Sequence, residues 1–122
     1  MNETDSAAPF ATLTPDAALN ALDQLGLITT GTLLPLNSYE NRVFQVGVED
    51  ATGRTTEGRS GFIVAKFYRP QRWSDAQILE EHAFTAELAA AEVPAVPPRV
   101  IAGRTLHHVA DFRIAVFERR GG

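Results

Sequence analysis

No cysteine occurs among the 122 residues, which removes a disulfide framework, a thiolate zinc site and a cysteine nucleophile together. No apolar run approaches the roughly 18 residues that cross a bilayer. The first ten residues carry Glu3 and Asp5 and no basic segment, so they do not read as an export signal. The expectation is a cytoplasmic protein with no membrane partner. Basic charge is also scarce: 11 Lys and Arg stand against 15 Asp and Glu, a net charge of -4. Duplex binding draws on clustered cations that displace counterions, so nucleic acid is excluded as the first choice of partner. Arg113, Arg119 and Arg120 lie near one another in the sequence, but so few charges read as a solvated edge.

What is present suffices for one modest core, since 44% of the residues are hydrophobic. Residues 1–11 read as a loose terminal arm and 12–122 as one folded lobe. Thr14 and Pro15 make an N-cap and a first helical position, and Ala18, Leu19, Leu22 and Leu25 form a stripe that ends at Gly26, predicting a helix over 15–25. Leu33–Leu36 and Val43–Val46 read as strands joined by the polar loop Asn37 to Asn41. Glu49 to Ser60 has the composition of an exposed hairpin loop. The most β-like segment, Phe62 to Tyr68, is apolar on both faces except at Lys66 and should be a central strand. Ser74-Asp75-Ala76-Gln77 has the form of a capping box opening a long helix to about Ala91, with Ile78, Phe84 and Leu88 as its buried stripe. Val100-Ile101, Thr105–Val109 and Phe112–Phe117 suggest two or three more strands, turned at Gly103-Arg104 and Ala110-Asp111.

Lys66 is the residue most in need of explanation, because an unpaired ammonium costs several kcal/mol to bury. By pattern alone it either snorkels to water near a strand end or meets a carboxylate from the long helix. Glu81 is the candidate partner, being three residues from both Ile78 and Phe84; Glu80 is turned about 100° away. A strand lysine held by a helix glutamate is the pair by which kinases present an ammonium to the α and β phosphates. The loop Asn37 to Asn41 could cover phosphates with its amides, yet it has no glycine, and taken alone an ordinary turn rich in Asn and Ser is the favoured reading.

Three segments occurring in this order, Leu36-Asn37-Ser38-Tyr39-Glu40-Asn41-Arg42-Val43, Lys66-Phe67-Tyr68-Arg69-Pro70 and Gln77-Ile78-Leu79-Glu80-Glu81-His82, resemble the bacterial stress response kinase A family over about Thr14 to Gly122. That family comprises cytosolic serine/threonine protein kinases with the aminoglycoside and choline kinase type of fold. The resemblance implies an α+β kinase N-terminal lobe: about five strands in a mostly antiparallel twisted sheet, one long helix packed on it and a short helix outside. It implies ATP as cofactor, with Ser38, Tyr39, Glu40 and Asn41 above the phosphates. Lys66 and Glu81 take the catalytic positions, Lys66 on the phosphates. The backbone of Glu118 and Arg120 would face adenine, with Gly121-Gly122 opening the hinge. The aspartate base and the Mg2+ ligands would belong to a C-terminal lobe missing from this chain, so it should not transfer phosphate by itself. His107 and His108 are followed by Val109 and precede the hinge strand, which gives them a structural role. The implied partner is a protein substrate.

Two other readings use the same residues. A small-molecule phosphotransferase acting on an aminoglycoside, choline or a sugar would share this lobe, and a non-catalytic binding module would share its fold. A ubiquitin-like modifier ending in Gly121-Gly122 would have no need of a lysine facing Glu81.

Overall fold

The computed structural model describes residues 10–36, 41–49, 61–70 and 72–118. Five strands form one sheet: β1 (Ile28–Leu36), β2 (Arg42–Glu49), β3 (Phe62–Phe67), β4 (His107–Val109) and β5 (Phe112–Glu118). Their spatial order is β1-β2-β3-β5-β4, and every pairing is antiparallel. The segment predicted to be central is therefore the middle strand. Its neighbour β5 arrives from the far end of the chain, after the helix α2 (Asp75–Ala90) and the stretch that follows it.

Cross-strand partners share a face, so the register sorts the side chains. One face carries Phe44, Val46 and Val48 from β2, Ile63, Ala65 and Phe67 from β3, and Phe112, Ile114 and Val116 from β5. Phe67 stands edge-on between Phe44 and Phe112, with ring centroids 5.7 and 5.6 Å away, the geometry that aromatic quadrupoles favour. Helix α1 (Pro15–Gln24) closes this face with Ala18, Ala21 and Leu22, all essentially inaccessible. Thr14 caps it through Ala17 N–H at 3.1 Å, Pro15 occupies its first turn, and Gly26 follows with φ +97°, where only glycine is unstrained. The short helix is thus a core element, whereas the sequence reading placed it outside the sheet.

The opposite face is more open. There α2 contributes only Ile78 and His82 as buried residues, beside Tyr68, Leu106 and Ala115. The expected stripe of Ile78, Phe84 and Leu88 is corrected: Phe84 is 59% exposed and Leu88 half-buried, while His82, four residues after Ile78, faces inward. Val100-Ile101 is likewise not a strand; Ile101 makes an isolated bridge to Arg104. The turn at Ala110-Asp111 has both residues at positive φ, 51° and 72°, the conformation of a tight hairpin between β4 and β5. At the other edge β1 is irregular between Thr29 and Leu33 and presses on β2 at Gly47, where an added Cβ would strike Thr30 Oγ1 and lie 3.3 Å from Thr32 Cβ.

Candidate functional site

Lys66 projects from the open face of β3, half-buried, at the middle of the sheet. Its Nζ lies 5.1 Å from the Tyr68 ring centroid and 6.0 Å from that of Phe117, so aromatic faces flank the ammonium. Across the register the same face carries Leu36, Val43, Lys66 and Ala115 in one row, and Leu34, Gln45, Val64 and Phe117 in the next. Apart from Ala115 these side chains are half-buried or exposed, giving a largely apolar platform beside a cation.

A cavity of about 270 Å³ opens between this platform and the start of α2, lined by Asn41, Lys66, Tyr68, Trp73, Gln77, Ile78 and Glu81. Three of the residues singled out by sequence, Asn41, Lys66 and Glu81, therefore meet in one space. No ion pair within 4.0 Å joins Lys66 to Glu81. Asn41 is fixed by its Oδ1, which accepts from Arg69 N–H at 3.0 Å and ties the end of the β1–β2 loop to the chain leaving β3. Glu118 closes β5 as an exposed residue opposite Ile63. Ser38, Tyr39, Glu40 and Arg120 lie outside the described residues.

The wall behind the cavity is polar and bonded. The His82 ring is held at Nε2 by the Tyr68 hydroxyl, 2.9 Å away, and at Nδ1 by Thr105 Oγ1, at 2.8 Å. Burial pushes the Tyr68 phenol well above its ordinary pKa, the Glu81 charge adds to the rise and Arg113 opposes it. Burial likewise lowers the His82 pKa, against a raising effect from Glu81 and with further lowering from Lys66 and His107. A second network anchors the first turn of α2. Arg113 donates to Trp73 O at 2.6 Å, to Asp75 Oδ1 at 3.1 Å and to Arg69 O at 3.3 Å, while His108 meets Asp75 Oδ2 at 2.8 Å. The Arg113 hydrogen bond, helped by His108, holds the Asp75 carboxyl below the usual carboxylate range.

Sequence reasoning gave no site role to Tyr68, His82, Thr105 and Asp75, and it read Arg113 as part of a solvated edge, whereas its side chain is only 15% exposed and bonded. Tyr68 could have been found, since it lies two residues beyond Lys66 on an extended chain, and His82 is four beyond Ile78 on a helix. Thr105 and Arg113 carried no local signal, because their partners are 23 and 38 residues away. Among the described residues no group of three or more His, Asp or Glu could hold a metal ion, and no helix is long and apolar enough to cross a membrane.

The model of the APH phosphotransferase enzyme family matches residues 32–122, which contain every strand of this site except the start of β1. The chain belongs to that family. Among curated relatives, stress response kinase A of Escherichia coli K12 is 46% identical over 118 residues, and the Salmonella typhimurium protein named serine/threonine protein kinase RdoA is 44% identical over 118. The matches take in 97% of this chain and 33% of each relative, so the chain spans about a third of their length. The likeness inferred from the three segments is thereby borne out.

Proposed function

We propose that this chain is the ATP-binding lobe of a cytoplasmic serine/threonine protein kinase acting in a stress response. The observation that carries the reading is the meeting of Lys66, Glu81 and Asn41 on one cavity beside an apolar sheet face. The donor set suits a nucleoside triphosphate. Leu36, Val43, Val64 and Phe117 offer flat apolar contact for a purine, and Lys66 offers an ammonium to phosphate oxygens a few ångströms along the same face. Asn41 directly precedes β2 and lines the cavity, and in this reading Ser38, Tyr39 and Glu40 would cover the phosphates. Backbone groups near Glu118 and Arg120 would meet the base edge.

In this reading Lys66 binds and orients the α and β phosphates, and Glu81 keeps the ammonium directed at them as the nucleotide enters. Such charge placement contributes most where transferring oxygens gather negative charge. Magnesium, when bound, would neutralise phosphate charge; its ligands and the aspartate base would come from sequence outside these 122 residues. Protein hydroxyls are the proposed acceptors because two relatives bear the names of a stress response kinase and a serine/threonine protein kinase. The family description, phosphotransferase enzyme, names no acceptor, and a small molecule is the alternative.

The test is transfer of the ATP γ-phosphate by the longer protein that contains this lobe, to itself and to a generic protein substrate, beside its Lys66→Ala and Glu81→Ala variants. Loss of transfer in Lys66→Ala with an unchanged fold, and a reduced rate in Glu81→Ala, are expected. Equal activity of either variant and the parent would overturn the assignment, and transfer to aminoglycoside or choline alone would move it to the small-molecule alternative.

A further inference from the structure

Beyond the network that anchors its first turn at Asp75, helix α2 has little packing that fixes it against the sheet. Of its 16 residues only Ile78 and His82 are buried, one turn apart on the same side, and His82 is 5% exposed. An apolar contact such as that of Ile78 tolerates small rotations of a helix about its axis. A hydrogen bond is angular, and a ring bonded at both nitrogens is fixed in direction and in height. His82 has that arrangement, with the Tyr68 hydroxyl on Nε2 and Thr105 Oγ1 on Nδ1. Each hydroxyl can donate or accept, so a neutral imidazole satisfies both bonds in either tautomer. The first partner lies two residues from Lys66 with its ring against the Lys66 ammonium; the second lies just before β4.

Glu81 is the residue next to His82, about 100° around the helix, and it faces the cavity that Lys66 lines. Whatever fixes the rotation of His82 fixes the direction of Glu81. We infer that His82 is a positioning residue: bonded between Tyr68 and Thr105, it sets the rotation of α2 that turns Glu81 toward Lys66. It touches neither nucleotide nor acceptor and acts through Glu81. Burial lowers its pKa, which favours the neutral ring over the charged one. The inference rests on the kinase reading for its consequence in catalysis, and on geometry alone for the placement of α2.

The experiment uses the longer protein with Tyr68→Phe and Thr105→Val, each of which deletes one hydroxyl at nearly constant shape, in the parent and in a Glu81→Gln background. Each single change should lower kcat by about five- to tenfold, the equivalent of one intramolecular hydrogen bond, with a smaller change in KM for ATP. In the Glu81→Gln background neither should lower kcat further. An equal loss in both backgrounds, or no loss in the parent, would make His82 a core group without a role in placing Glu81. Amide hydrogen exchange gives a readout that needs no activity. Both variants should speed exchange across Asp75–Ala90 while leaving β3 and β5 protected, and unchanged exchange in α2 would overturn the inference. Absence of transfer by the parent protein, with the exchange result as expected, would sink the kinase reading and leave the placement of α2 standing.

Discussion

His82 and His107 are both buried, yet their surroundings differ. The His82 ring is bonded at both nitrogens, whereas His107 Nε2 has no partner among the described residues. Burial lowers both pKa values below the ordinary 6.5, with Lys66 adding to the effect at His82 and Arg104 at His107. The unfolded chain therefore takes up protons at higher pH than the folded one, so this contribution to stability is complete above about pH 6.5 and is lost as pH falls toward the depressed values. The expected outcome is a urea midpoint that drops between about pH 7.5 and pH 5, with a shallower dependence in His82→Gln, whose side chain does not titrate there. A variant with the same slope as the parent would show that His82 is not one of the titrating groups. At this scale much of the candidate site was legible: a lone lysine in an apolar strand and a glutamate on the next helix are local signals. The bonds that hold His82 were not, because nothing near Thr105 in the sequence says which helix it will meet.

The helix that carries Glu81 is also anchored at its first turn, ahead of the contacts at Ile78 and His82. Ser74 Oγ accepts from Gln77 N–H at 3.1 Å and Ser74 N–H donates to Gln77 Oε1 at 2.9 Å, a reciprocal box that the four-residue pattern announced. Asp75, in the same turn, is clamped by Arg113. Replacing the cap, Ser74→Ala, is expected to cost about 1 kcal/mol in urea unfolding and to raise amide exchange first in the turn after Asp75. Exchange rising evenly through the whole domain would show that the box is not a local anchor. The buried side of this helix was misread for a physical reason. Apolar residues are spread around α2, so a 3.6-residue period could not choose between the side with Phe84 and the side with His82. On the side that is buried, two hydroxyls meet the His82 ring. Helix α1, by contrast, places Ala18 and Leu22 on one narrow side, and its span was readable to within one residue.

Across the whole molecule, the succession of strands along the chain followed from the alternation of turns and apolar runs, while their spatial order, with β5 between β3 and β4, did not, since it depends on a connection that passes through α2. The open platform of Leu36, Val43, Val64 and Phe117 can touch a planar base from one side only. ATP is therefore expected to raise the melting temperature of the longer protein by several degrees and to move that of the 122-residue chain alone much less, in line with the weaker binding. Equal shifts in thermal denaturation would mean that this lobe holds the nucleotide without help. The late place of β5 also bears on synthesis. Until Phe112–Glu118 have left the ribosome, β3 is an edge strand, pairing with β2 on one side while its other row of amides and carbonyls is open to any extended chain nearby. The strand that bears Lys66 is the most apolar of the sheet, and about 45 residues must be translated between its last residue and the first of its second neighbour, a delay of several seconds at ordinary elongation rates. During that interval the nascent chain presents a template for mispairing at the very place where the finished protein keeps its lysine.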